Sequence, residues 1–162
     1  MRKSKINISG FKIGTAENRE GLTGVTVILA PDGGATAGVD VRGCAPGTRE
    51  TDLLDPRKTV QKIHAVVLSG GSAFGLEAAS GCVKYLAEQG VGFPIGNVCV
   101  PIVCSAVLFD LMIGDEKAYP DLLMGYEAAK SASSEFLSGC NGAGTGATVG
   151  KLLGFGNAMK SG

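Results

Sequence analysis

The sequence predicts an α+β fold on three observations. Segments that read as strands come first: 22–30 and 36–43, which alternate, and the short apolar 63–68. Segments with helical spacing follow, over 73–89, 101–112 and 119–137. The two kinds are segregated along the chain, which favours layered α+β architecture over a doubly wound parallel sheet.

Taken in order, "LTGVTVILA" (22–30) alternates and is rich in β-branched residues. "PDGG" (31–34) is a turn signal, and "TAGVDVRG" (36–43) alternates again, so the spacing predicts a β-hairpin. "CAPGTRETDLLDPRK" (44–58) reads as a loop punctuated by Pro46, Gly47 and Pro56. "IHAVVL" (63–68) reads as a short buried strand. From Ala73 to about Gln89, Leu76, Ala79, Val83 and Leu86 recur at helical spacing, and Gly90 supplies the cap. Pro101 suits the first turn of a second helix, running to about Met112. That segment is apolar almost all round, so it is expected to be buried. A third helix is expected over 119–137, with Pro120 at its start, and "GCNGAGTGATVGK" (139–151) as a glycine-rich loop. No repeat and no linker divides the chain, so 1–162 reads as a single domain.

Composition narrows the function classes. At 162 residues and 44% hydrophobic, the chain can bury a sizeable core. Its 26 glycines follow no G-X-Y period, which excludes collagen, and they cluster at turns. The formal net charge is zero and no long basic run exists, which argues against nucleic acid as partner. "MRKSKINISG" lacks an apolar h-region. The longest apolar run is broken by Pro101 and carries Asp110, too short a stretch to span a membrane. The five cysteines, at 44, 82, 99, 104 and 140, form no CxxC pair, and pairing would leave one over. Reduced core thiols in a cytoplasmic protein are the simpler expectation.

One motif invites a catalytic reading. "LSGGSAFGLEAASG" (68–81) places Ser72 at a glycine-lined strand-to-helix turn. A hydrolase elbow has the form G-x-S-x-G, and here Phe74 stands where the final glycine belongs. A triad also needs a histidine, and His64 is the only one, lying in the strand just before the serine. The glycines are better explained by close approach of the helix start to the sheet or to a ligand. "GAGTGATVGK" fails as a P-loop, having Thr145 and Leu152 where Gly and Ser/Thr belong. No strand leads into "GAGTGA", which weakens a dinucleotide reading. No carboxylate pair and no His/Cys/Asp cluster has metal-ligand spacing. Asp110, Asp115 and Glu116 read as helix-end charges.

Four stretches together resemble one peptidase family. They are "GLTGVTVILAPDGGATAGVDVRGCAPGTRETDLL" (21–54), "VLSGGSAFGLEAASG" (67–81), "VPIVCSAVLFDL" (100–111) and "GAGTGATVGK" (142–151). The family contains L-aminopeptidase D-amidase/D-esterase, β-peptidyl aminopeptidases and nylon-oligomer hydrolases. The resemblance implies a four-layer αββα sandwich of the N-terminal-nucleophile-hydrolase type, represented here in part. It implies a precursor that cuts itself before a Thr or Ser, which becomes the nucleophile with its own α-amine as base. Nothing between Lys151 and Gly162 matches the family's cleavage site, so the resemblance makes this chain the N-terminal part of a larger protein, inactive by itself.

The resemblance also implies site residues. Lys151 corresponds to a lysine near the nucleophile in nylon-oligomer hydrolases. Phe109 falls at a tyrosine that lines that site, so the phenol hydroxyl is absent. Val107 falls at the glutamate with which aminopeptidase members bind a substrate's free amine. The implied function is amide or ester hydrolysis, without metal or cofactor. The implied partners are a small peptide or amide substrate, a C-terminal segment or β-chain of the same precursor, and further copies in a homo-oligomer. Two rivals stand beside it: an acyltransferase of the ornithine-acetyltransferase type, and a catalytically inactive fragment or assembly subunit.

Overall fold

The computed structural model describes residues 2–161. In chain order the strands are β1 (Arg2–Lys5), β2 (Lys12–Asn18), β3 (Thr23–Leu29), β4 (Thr48–Arg49), β5 (Ala65–Ser69), β6 (Phe93–Ile95), β7 (Val98–Val100), β8 (Val103–Val107), β9 (Glu135–Ser138), β10 (Thr148–Val149) and β11 (Met159–Lys160). Two α-helices accompany them, α1 (Ala78–Glu88) and α2 (Leu122–Lys130).

The framework is a five-stranded sheet of order β2-β3-β5-β8-β4. β3 lies antiparallel between β2 and β5, and β5 and β8 are parallel. Alternation along β3 and β5 explains one face: Val25, Val27, Leu29, Ala65 and Val67 point into a core shared with Ala78, Ala79, Cys82 and Leu86 of α1 and with Ala128 and Ala129 of α2. Each fully buried valine contributes about 1.5–3 kcal/mol relative to exposure. The opposite face is covered in part by the 35–63 segment, where Ile63, Ile102 and Cys104 pack with Leu53, Leu54 and Val66. Leu68 on that face remains exposed.

Small residues let the helix layer sit unusually close to its neighbours. A Cβ at Gly125 of α2 would overlap the Ala78 carbonyl oxygen of α1, and one at Gly81 would overlap the Leu122 carbonyl oxygen. A Cβ at Gly14 of β2 would overlap the carbonyl oxygen of Ala128. Helix against helix and helix against strand are therefore in backbone contact. Among the described residues, no helix is long and apolar enough to cross a membrane.

Three expectations are corrected. Residues 101–112 form no helix; Val103–Val107 is β8, covered on both faces. An apolar run without polar positions fits a central strand as well as a buried helix, and the β-branched Val103 and Val107 favour the strand. The hairpin partner of β3 is β2, not 36–43. "PDGG" does turn the chain, with the Gly34 N–H donating to the Pro31 carbonyl at 2.9 Å. β5 occupies the other edge of β3, however, so 36–43 runs on as an exposed segment bridged only at Ala35 to Ile63. The third helix is shorter than 119–137. The Asp121 carboxylate caps it by accepting the Met124 N–H at 2.8 Å, and it stops at Lys130, before the serine-rich stretch leading into β9. The 63–68 strand stands as β5, and the 73–89 helix stands as a 3-10 turn (Ser72–Glu77) followed by α1, with Gly90 at a φ of 69° after its end.

Gly125→Ala tests the backbone contact. The substitution gains about 1 kcal/mol of helix propensity. Overpacking against a backbone carbonyl costs about 1–3 kcal/mol and outweighs it. Thermal melting followed by circular dichroism is expected to show a lower Tm; an equal or higher Tm would mean that the helices do not touch here.

Candidate functional site

β5 and β8 run parallel with Ser69 opposite Val107, so the turns that follow them lie side by side at one end of the sheet. β3 is antiparallel to β5 with Val25 opposite Ser69, which brings its first residue, Thr23, to the same end. The glycine-rich run arrives there too. A Cβ at Gly24 would overlap the Gly142 carbonyl oxygen, and one at Gly146 would overlap the Leu22 carbonyl oxygen. Four segments thus form a platform: Thr23, Gly70–Ser72, Val107–Asp110 and Gly142–Gly146.

Hydrogen bonds fix this platform. Leu108 N–H donates to the Ser69 carbonyl at 2.9 Å, and Ser72 N–H donates to the Leu108 carbonyl at 3.0 Å. The Asp110 carboxylate is buried, accepting from the Gly71 N–H at 2.6 Å and from the Thr23 hydroxyl at 2.8 Å. Asp110 is therefore no helix-end charge: no helix covers it, and its oxygens join two other segments. On the β2 side, Gly142 N–H donates to the Glu17 carboxylate at 3.2 Å and Ala143 N–H to the Thr26 hydroxyl at 3.1 Å. Arg19 donates both to Glu17 and to the side-chain oxygen of the buried Asn141. In the same run, the buried hydroxyls of Thr145 and Thr148 have no hydrogen-bond partner.

Ser72 is half-buried with a φ of 52°, a left-handed backbone that is uncommon for a non-glycine residue. It has no histidine. His64 precedes β5 at the far end of that strand, roughly 17 Å from Ser69 at 3.3 Å per residue. Its ring is buried, with Nδ1 accepting the Ile102 N–H at 3.0 Å, and burial lowers its pKa below the ordinary value. It is a core histidine in its neutral form.

Phe109 is partly exposed at the end of the sheet, and its ring packs on Phe155 with centroids 5.6 Å apart. Phe155 lies four residues past Lys151, so the 151–155 segment reaches the β8 end. Lys151 is half-buried and opens a short 3-10 turn after Gly150, whose φ is 85°. Its ammonium donates to the Thr148 carbonyl at 2.6 Å. Val107 N–H donates to the Gly47 carbonyl at 3.0 Å, and its side chain lies against Gly47, where a Cβ would come within 2.6 Å. Among the described residues, no group of three or more His, Cys, Asp and Glu side chains is placed to hold a metal ion.

Chemically, the platform offers close-set backbone held by hydrogen bonds around one buried carboxylate, without a nucleophile–base pair; Lys151 lies on the adjoining run with its ammonium on the Thr148 carbonyl. Asp110 and Thr23 are the residues that sequence reasoning missed. A single carboxylate between Leu108 and Leu111 was the available signal, because a charge inside an apolar stretch needs partners if it is buried.

Comparison with known proteins places the chain among peptidases in sequence and in fold. The model of peptidase family S58 matches residues 5–159. An uncharacterised aminopeptidase of Mycobacterium tuberculosis is 47% identical over 131 residues, covering 81% of this chain and 38% of the relative. A 6-aminohexanoate-oligomer endohydrolase of Kocuria is 36% identical over 149 residues, covering 91% and 39%. The chain thus spans about two fifths of the length of these curated relatives. Among solved structures, the L-aminopeptidase D-Ala-esterase/amidase of Ochrobactrum anthropi, described as a variant of the Ntn-hydrolase fold, superposes with a TM-score of 0.65 at 18% identity, over 86% of this chain and 42% of that one. A Burkholderia β-aminopeptidase gives a TM-score of 0.63 at 19% identity, over 86% and 41%. The fold is that of these Ntn hydrolases, with a helix layer on a sheet.

His64 supplies a test of the local electrostatics. Because its folded pKa lies below the ordinary value of 6.5, the folded state binds fewer protons than the unfolded state. Stability is fully present above pH 6.5 and is lost as pH falls through the folded pKa. Urea unfolding across this range is expected to show that decline, and His64→Gln to flatten it. An identical slope in the variant would show that His64 is not buried neutral.

Proposed function

The chain belongs to peptidase family S58, and from that premise we propose that the whole protein is an amide hydrolase whose Thr or Ser nucleophile is carried on a segment outside this chain. The observation that carries this reading is the platform itself. It is glycine-lined and held by hydrogen bonds around a buried carboxylate, with Lys151 on the adjoining run, and its one serine has no histidine beside it. A nucleophile at a new chain start brings its own α-amine as base, which suits a site without a usable histidine.

In the proposed reaction the nucleophile's hydroxyl oxygen attacks the amide carbon while the α-amine takes its proton. The tetrahedral oxyanion collapses, the amine leaves with that proton, and an ester intermediate remains. Water then hydrolyses the ester. Lys151 favours the oxyanion by its charge. The glycine-rich backbone beside it lets the reacting group approach without side chains in the way. Phe109 and Val107 form the apolar wall. Neither can pair an ammonium, so the substrates are small peptides or amides without a free amine beside the scissile bond. The 6-aminohexanoate-oligomer endohydrolases, at 36% identity, are the relatives that this reading follows.

The remaining partners belong to the same proposal: a C-terminal segment or β-chain of the same precursor, and further copies in a homo-oligomer. The 162-residue chain alone is inactive in this reading. Of the five thiols only Cys82 and Cys104 are core groups, with burial pushing the Cys82 pKa up to about 12 and raising that of Cys104. Cys44, Cys99 and Cys140 are exposed and free, contrary to the expectation of core thiols, and a reducing cytoplasmic setting would keep them so.

Steady-state hydrolysis of amides with a free amine beside the scissile bond, and of the same amides with that amine capped, by the complete protein tests the reading. Capped amides are expected to be the better substrates. Lys151→Ala is expected to lower kcat by about 10²–10³-fold, the scale of removing one oxyanion donor. Ser72→Ala is expected to keep most of the turnover. A loss of about 10⁴-fold in folded Ser72→Ala, the scale for a triad member, would restore the serine as nucleophile. Strict dependence on a free amine, with Lys151→Ala fully active, would defeat the site model.

A further inference from the structure

Four distant segments meet at one carboxylate. Asp110 lies three residues beyond β8 and is 3% exposed. Its Oδ1 accepts the Gly71 N–H at 2.6 Å, and its Oδ2 accepts the Thr23 hydroxyl at 2.8 Å. Backbone crowds it from two more directions, because a Cβ at Gly70 or at Gly146 would overlap Oδ2. One side chain therefore touches the start of β3, the turn after β5 and the glycine-rich run, and its own backbone belongs to the turn that follows β8. Phe109 is its immediate neighbour, and Lys151 follows Gly146 by five residues.

A carboxylate is buried at a cost unless its oxygens are hydrogen-bonded, and here both are. Packing alone would be served by an apolar side chain. What the carboxylate adds is direction: two fixed acceptor positions that hold two separate segments in one geometry, with the glycine-rich run pressed against them. We propose that Asp110 is a positioning residue for the site. It sets the place of Lys151 through the 142–151 run and the place of Phe109 through its own backbone. The catalytic half of this inference rests on the amide-hydrolase reading; the structural half does not.

The chemistry selects the variants. Alanine removes both acceptors, leaving the Gly71 N–H and the Thr23 hydroxyl unpaired and Gly146 without its neighbour. Asparagine keeps the shape: its oxygen can accept from Gly71 and its NH₂ can donate to the Thr23 oxygen. Thr23→Val removes one bond at nearly constant shape.

The test combines hydrogen exchange over 142–151 with steady-state amide hydrolysis, in the complete protein and its Asp110→Ala, Asp110→Asn and Thr23→Val variants. Asp110→Ala is expected to speed exchange over 142–151 with α1 and α2 still protected. It should lower kcat by about 10²-fold, the scale of an ångström-level misplacement. KM should change little, and Asp110→Asn should restore both readouts. Should Asp110→Ala fail to fold, Thr23→Val carries the same comparison, with a smaller shift in the same direction. Loss of protection throughout α1 and α2 in parallel with the run would overturn the proposal in favour of a merely structural role. Unchanged exchange together with full kcat would also overturn it. If the wild-type protein hydrolyses no amide, the functional reading falls, and the exchange comparison alone decides on Asp110.

Discussion

The parallel pairing of β5 with β8 is the constraint on which the rest of this structure depends. With Ser69 opposite Val107, both strands end at one edge, and the two turns that follow cross-link through Ser72, Leu108 and Asp110. Antiparallel pairing of the same strands would have sent these turns to opposite ends, and no platform would exist. Parallel neighbours need a crossover connection, and α1, packed on the sheet, provides it. The helix layer and the candidate site are thus two consequences of one topology.

Glycine is used here for approach more than for turning. Gly81, Gly125 and Gly14 let backbones touch in the helix layer, while Gly24, Gly70, Gly142 and Gly146 do the same at the platform. Each interior glycine costs roughly 0.5–1 kcal/mol in chain entropy. In return, carbonyls and a carboxylate sit where side chains would otherwise stand. A rigid surface of backbone groups with one ammonium on its adjoining run suits chemistry in which charge develops on an oxygen and must be met without reorganisation.

Much of this was legible in the sequence. β3 shows through its apolar alternation and β-branching, β5 as a short apolar run, and the turn and helix of 72–88 through Leu76, Ala79, Val83 and Leu86 before Gly90. β8 was not legible as a strand, because a run buried on both faces has no period to read. β2 was missed for the opposite reason: in "KIGTAEN" the position against α2 is Gly14, whose role is to admit a carbonyl and which contributes no hydrophobic signal. The alternation in 36–43 signalled a strand that the structure does not have, because β2 and β5 take both sides of β3. At the site, Phe74 and the position of His64 spoke against Ser72 as a triad serine, and in the structure His64 lies at the far end of β5 with its Nδ1 taken by the Ile102 N–H. Asp110 was not interpretable, since its partners lie 87 and 39 residues away. Lys151, Phe109 and Val107 came from family resemblance alone, and the structure gives each a local setting: the Thr148 carbonyl, the Phe155 ring and Gly47.

In the function proposed above, this chain is the scaffold of a hydrolase whose nucleophile begins a second chain. Intact-mass analysis of the native gene product, with N-terminal sequencing of each species, tests it most directly. The account predicts two chains from one precursor, the later one starting with Thr or Ser. A single uncleaved chain that hydrolyses amides with multiple turnovers would contradict it.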